Sequence, residues 1–228
     1  MILYVAPIIE GITERVCIEP LLQRIWGDLL GRTERLQVVE RVRARRDQLV
    51  QRDGKILIET IEQAVLNLRS KAKGRADAVS FVLVLIDAEK GGCPAILGPQ
   101  MLSIAKSVVP PDVSVACVVA KRMFENWIVA GATALGGVNG LPNSLPTSAD
   151  YEAFDGAGWL NERLRSVNSA RKYKKTTDAE IFIRCMNLAD CRANSPSFDK
   201  LCRELAARIP GPPEDSTPAE RPSDEAAT

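Results

Sequence analysis

The sequence predicts an α/β protein with a mostly parallel sheet flanked by helices and a helical C-terminal third. Three observations predict it. Continuous apolar runs at 2–9 (ILYVAPII), 79–86 (VSFVLVLI) and 113–120 (VSVACVVA) read as strands covered on both faces. Helical periodicities separate these runs. After residue 130 only helical patterns recur, at about 158–167, 177–189 and 196–208.

Taken in order, the run at 2–9 leads into EGITE at 10–14. A helical pattern of Val16, Cys17, Leu21, Leu22, Ile25, Leu29 and Leu30 follows. Pro20 inside it predicts a kink or a late helix start. Residues 36–42 (LQVVERV) read as a short strand, and 56–68 as an amphipathic helix. The run at 79–86 passes directly into Asp87-Ala-Glu89, then a Gly-Gly-Cys-Pro turn and a helix over 99–108. The run at 113–120 precedes KRMFENWIVA, a helix start, and the Gly/Pro/Asn/Ser-rich stretch 131–157 reads as a long surface loop.

The 228 residues are 46% hydrophobic and 26% charged, within the usual range of globular proteins. They contain no histidine. That excludes Ser-His-Asp and Cys-His catalysis, histidine general bases and His-ligated zinc. Cys17, Cys93, Cys117, Cys185, Cys191 and Cys202 show no CxxC spacing, so neither a zinc knuckle nor a disulfide framework is expected. The opening MILYVAPIIE does not resemble a signal peptide, and no apolar run is long enough to span a bilayer; the expectation is a reduced, cytoplasmic protein with no membrane association. Residues 210–228 hold five acids, one arginine and five prolines, a charge of −4, which leaves +5 on residues 1–209. Residues 1–209 read as one α/β domain, and 210–228 as a disordered, acidic, Pro-rich tail.

In an open parallel sheet, ligands bind at the carboxyl ends of the strands, and there the acids gather. Glu10 and Glu14 follow the first strand, Asp87 and Glu89 follow the run at 79–86, and Glu125 lies beyond the last. Carboxylates at i and i+4 in a first helical turn share a face. Repelling carboxylates in a cleft call for a cation, and an oxygen-only donor set suits Mg²⁺ or Mn²⁺. In-line displacement at phosphorus is the chemistry such a site offers. Each acid alone also has an ordinary reading: Glu10 and Glu14 as helix-start acids favoured by the dipole, Asp87 as a cap, Glu125 as a solvated helix residue.

A strand ending in Glu-Gly-x-x-Glu and a later strand ending in acidic-x-acidic resemble the Toprim (topoisomerase–primase) superfamily. More closely, the chain resembles a bacterial Toprim-like group catalogued as domain of unknown function 4276. PIIEGITE (7–14), LVLIDAEKGGCP (83–94), FENW (124–127), KYKKTTDAE (172–180) and SPSFDKL (195–201) carry the likeness over about residues 3–205. The resemblance implies a Toprim-like fold and a metal-dependent nuclease hydrolysing DNA or RNA. Glu10, Glu14, Asp87 and Glu89 would hold Mg²⁺ or Mn²⁺ with Glu125 as a further ligand, and Glu10 and Asp87 would be catalytic. Many Toprim proteins have Asp-x-Asp where this chain has Asp87-Ala-Glu89, which sets the second ligand back by one methylene. The resemblance also implies an anti-phage defence effector working with a separate ABC- or AAA-type ATPase, since no GxxxxGK[ST] occurs here. A non-catalytic interaction subunit and an enzyme acting on small phosphoesters are the alternatives, and a homo-oligomer is left open.

A phosphodiester substrate needs positive charge beside the acids. Arg43, Arg45 and Arg46, with Arg41 nearby, and Lys172, Lys174 and Lys175 around Tyr173 offer it as nucleic-acid contacts; solvated, partly paired surface is the ordinary reading of both groups. A lysine of the second group also suits charge developing on a transferred phosphate. Trp26, Trp127 and Trp159 read as packing residues, and Cys93 as the thiol to watch for reactivity.

Overall fold

β1 (Ile2–Ile9) is buried along its whole length and organises the sheet in the computed structural model, which describes residues 1–90, 92–148 and 150–209. It pairs on one side with β4 (Ala78–Asp87), Ile2 opposite Ala78 and Ile9 opposite Leu85. On its other side lie β2 (Arg35–Val38) and β3 (Val42–Arg43). β5 (Val113–Ala120) pairs with β4 and forms the far edge, and every pairing is parallel.

The unbroken apolar runs follow from this. On one face Leu3, Val5, Ile9, Phe81, Leu83 and Leu85 meet α1 (Ile12–Arg24), α5 (Glu125–Ala130), α7 (Asp178–Cys185) and α9 (Pro196–Ala206). On the other, Tyr4, Ala6, Ile8, Val82, Val84 and Ile86 share a core with the short α2 (Arg46–Leu49), α3 (Lys55–Ala72) and α4 (Pro94–Val108). Alternate side chains feed opposite cores, so a strand buried on both faces has no polar positions to spare.

The strand expected at 36–42 is split. Val38 faces Val5 and Val42 faces Ile8, so the β2–β3 side carries one extra residue and bulges. Asn67 donates to the Glu40 carbonyl there (3.2 Å), and Arg41 pairs with Glu19 (2.8 Å). α1 starts at once after Gly11 and takes Pro20 inside it, then passes into a π-helical turn at Ile25–Leu29. Arg24 donates from Nη1 to the carbonyls of Ile183 (2.6 Å) and Met186 (3.0 Å), tying the end of α7 to α1. The helix expected at 99–108 begins five residues earlier, with Pro94 in its first turn where a missing N–H costs nothing.

The stretch 131–157 is not simply a surface loop. It carries two 3₁₀ turns, Ala132–Ala134 and Val138–Gly140, and buries Leu135, Leu141, Tyr151 and Glu152. Buried Asn126 holds it by donating to the carbonyls of Tyr151 (2.6 Å) and Phe154 (3.0 Å). α6 (Gly156–Val167) follows, capped by Asp155, whose carboxylate accepts from the Gly158 amide (2.9 Å). The helix expected at 177–189 breaks after α7, and α8 (Leu188–Asn194) starts from Asn187, whose Oδ1 caps Ala189 N (3.0 Å) and Asp190 N (3.1 Å). The tail expected at 210–228 lies outside the described residues. Among the described residues no helix is long and apolar enough to cross a membrane. All six cysteines are free thiols.

Candidate active site

Because β1, β4 and β5 are consecutive and parallel, their carboxyl ends share one edge, and the predicted acids collect there. Glu10 follows β1, and Gly11 opens α1 in extended backbone. Glu14, 3% exposed, folds its carboxylate back over the helix start, and a Cβ on residue 11 would collide with Glu14 Oε2. A side chain at residue 11 would therefore displace the Glu14 carboxylate from this position. Thr13 of the same motif donates from Oγ1 to Glu125 Oε1 (2.9 Å), and Glu125, 1% exposed, stands in the first turn of α5. Lys175 reaches the same oxygen at 3.3 Å.

Asp87 is the last residue of β4, with Oδ1 buried and without a hydrogen-bond partner; Glu10 Oε2 is in the same position. Glu89 is exposed and adopts φ +56°, and Arg122, after β5, adopts φ +67°. Both are non-glycine residues in the left-handed region, a local cost of about 1–3 kcal/mol each that surrounding structure must hold. The Glu89 amide donates to the Arg122 carbonyl (2.9 Å) and the Ala88 amide to the Ala120 carbonyl (2.8 Å), joining the two strand-end loops.

The charges interact strongly. Burial raises the Glu10 carboxyl above its ordinary value, and Glu89 adds to this. Glu14 is raised by burial and then by Glu125 and Glu10. Asp87 is raised well above the ordinary range, by burial first and then by Glu14, Glu125 and Glu10. Burial pulls the Lys175 ammonium down, but Glu125, then Asp87 and Glu14, more than offset this and hold it above the usual lysine value.

The predicted basic residues separate into distinct roles. Arg46, with an 18% exposed side chain, is turned inward: Nε donates to the Asp87 carbonyl (2.9 Å), Nη2 to the Ala88 carbonyl (3.0 Å), and Nη1 pairs with Glu89 (3.7 Å). It is a clamp on the β4 turn. Arg43 donates to the Glu10 carbonyl (3.0 Å), and Arg45 makes an exposed pair with Asp47 (3.3 Å). Lys172 and Lys174 are exposed, Lys175 belongs to the acidic cluster, and Arg171 pairs with buried Asp178 (2.7 Å). Tyr173 is turned inward, stacked on Phe182 with centroids 6.4 Å apart, so it offers no stacking surface. Trp26 and Trp127 are buried packing residues as expected.

Sequence reading missed Thr13, Lys90, Lys121, Arg122 and Glu152 around this edge. Thr13 was legible inside EGITE, three residues after Glu10 and next to Glu14. The others have no local signal, because tertiary folding alone brings them here.

Among the described residues no three acidic or thiol groups stand ready around one point to hold a metal ion. The donor chemistry nevertheless suits a hard dication. Two buried carboxylate oxygens lack partners, and the mutual repulsion of Glu10, Glu14 and Asp87 is what such an ion relieves. Those three, with Glu89 and Glu125, could hold it.

A carboxyl whose folded value is raised binds its proton more tightly folded than unfolded, so its ionisation weakens the fold as pH rises from the ordinary carboxylate range through the raised value. The metal-free protein is expected to lose melting temperature across that window. Mn²⁺ or Mg²⁺ is expected to restore it, more at pH 8 than at pH 5. Differential scanning fluorimetry with EDTA or metal measures this, and a metal effect absent at both pH values would count against a cation site.

The fold and this edge define the chain's class: an α/β protein with a carboxylate cluster at the carboxyl ends of a parallel sheet. The family model described as "Domain of unknown function (DUF4276)" matches residues 9–206, and the chain belongs to that family. Comparison with curated proteins and with solved structures gave no match.

Proposed function

We propose that this edge is a divalent-cation site for phosphodiester hydrolysis, making the chain a metal-dependent nuclease of Toprim type. The observation that carries the reading is the repelling trio Glu10, Glu14 and Asp87 at adjacent strand ends, with two buried oxygens unpartnered. Glu10, Glu14, Asp87 and Glu89 would hold Mg²⁺ or Mn²⁺, with Glu125 behind them. Bound there, the ion supplies Lewis-acid polarisation of a phosphate. Glu10, partly buried with its carboxyl raised, is suited to take a proton from an attacking water. Lys175, held charged by Glu125, supplies fixed positive charge toward developing negative charge on phosphorus. Exposed Lys172 and Lys174 offer backbone phosphate contacts nearby in sequence. The likeness of the ordered acidic motifs to Toprim nucleases supports the same reading. A separate ATPase partner and a role in anti-phage defence belong to the same proposal.

Mn²⁺-dependent cleavage of supercoiled plasmid, single-stranded DNA and bulk transfer RNA tests it. Wild type is expected to cut at least one substrate with metal and none with EDTA. A second reading, a Toprim-like interaction subunit without catalysis, draws on the seating of Lys175 against Glu125, which already supplies the cluster with a cation. It predicts no cleavage with any metal.

A further inference from the structure

β5 is the edge strand, and between α4 and α9 beside it lies a cavity of about 670 Å³, a size that suits a small organic ligand. Pro94, Pro99, Leu102, Val119 and Pro196 give it apolar walls. Glu152 lines it, yet Glu152 is only 5% exposed. Its Oε1 accepts three hydrogen bonds, from Ser195 Oγ (2.5 Å), Ser197 Oγ (2.5 Å) and Ser197 N–H (3.1 Å). Among the described residues Oε2 receives no hydrogen bond and no cation pairs with the carboxylate. The Ser197 hydroxyl is itself fixed by the indole N–H of buried Trp127 (2.8 Å). One oxygen is therefore locked and the other is left as an acceptor on a residue that is otherwise enclosed.

A second hollow of about 360 Å³ shares Lys121 and Glu152 with the first and extends to Glu89, Lys90 and Arg122. Lys90 and Lys121 are exposed and have no ion-pair partner among the described residues. The first hollow, apolar-walled but also bordered by Lys200 and Arg203, which are ion-paired to Glu204 and Asp199, thus continues into a cationic hollow at the edge of the carboxylate site.

We propose that the two hollows form a guanine-nucleotide subsite, the base between the apolar walls with its two adjacent N–H donors converging on Glu152 Oε2 and its phosphate on Lys121 and Lys90. Guanine presents two adjacent N–H donors on one edge. Adenine and cytosine place a ring acceptor beside their amino group, and uracil and thymine flank a single N–H with carbonyls; a carboxylate repels each of these acceptors. The phosphate is drawn by the same cations that border Glu89, so the subsite deepens the phosphodiesterase reading and rests on it for the fate of that phosphate.

Isothermal titration calorimetry of the full chain with GMP and AMP, in EDTA so that no hydrolysis occurs, tests the subsite. GMP is expected to bind about tenfold or more tighter than AMP. Glu152→Gln retains an acceptor for the serines and turns the free oxygen into a donor, so the preference for GMP should vanish with the circular dichroism spectrum unchanged. Ala95→Trp, at an exposed position of α4 lining the cavity, should weaken both nucleotides at least about tenfold by filling the slot. Equal binding of GMP and AMP by wild type, or GMP binding indifferent to both variants, overturns the proposal. An oligonucleotide arm, with and without a single guanosine, separates strand-borne from free nucleotide. Metal-dependent cleavage without GMP binding would remove the subsite and leave the nuclease reading standing. GMP binding without cleavage of any polynucleotide would keep the subsite and remove the nuclease reading.

Discussion

Asp87→Asn is expected to abolish Mn²⁺-dependent cleavage, by about 10³-fold or more, while leaving the chain folded. Asparagine keeps the shape and removes the charge that would face the ion. The same substitution should raise the melting temperature of the metal-free protein. Asp87 is held well above its ordinary value by burial and by Glu14, Glu125 and Glu10, so its ionised form weakens the fold near neutral pH. Relief on the order of 1 kcal/mol corresponds to about 2–4 °C for a chain of this size. Activity and stability are thus expected to move in opposite directions, which few structural lesions produce. If Asp87→Asn lost activity and melted lower, Asp87 would be a packing residue and the catalytic assignment would fail. Cleavage that survived in the variant would place the chemistry elsewhere.

Arg46→Lys is expected to cost about 2–3 kcal/mol of stability and roughly 10²-fold in cleavage. The guanidinium spans two carbonyls, of Asp87 and Ala88, and reaches Glu89 as well. An ammonium cannot keep three directions at once, so the β4 turn loses its clamp although the charge is preserved. Gly92 packs against the same place, where a Cβ would run into the Ala88 carbonyl, so the turn has no slack to close over the loss. Thermal melts and cleavage rates of the lysine variant decide between two roles. A nucleic-acid contact that needs only charge would leave the melting temperature unchanged and lose a small part of the rate at low salt.

Much of the scaffold was legible because burial on both faces leaves no choice of residue type. Runs such as that at 113–120 can only be central or covered strands, and β5 has those bounds. Their carboxyl ends, and therefore Glu10, Asp87 and Glu125, could be placed from the pattern alone. Legibility failed where structure depends on distant partners. The stretch 131–157 has loop composition, yet Asn126 and the serines of the α9 start draw Tyr151 and Glu152 inside. Arg46 sits in an arginine-rich segment that reads as surface, and its inward turn is set by carbonyls some forty residues away. Lys175 was grouped with its basic neighbours by sequence, whereas its closest charge is Glu125.

The order in which the site comes together has a consequence for how the chain acquires its shape. Glu10 and Glu14 emerge early in synthesis, but Asp87, Glu89 and Glu125 arrive later, and β1 has no β4 to pair with until Ala78 onward has been made. The nascent N-terminal segment carries only the Glu10–Glu14 repulsion in open solvent, and the larger penalty builds as the last strands dock and the carboxylates are desolvated together. Relief of that repulsion should appear mainly as slower unfolding, with little gain in folding speed. A bound cation would act on the same side of the barrier, as a latch that closes after folding and holds the finished molecule.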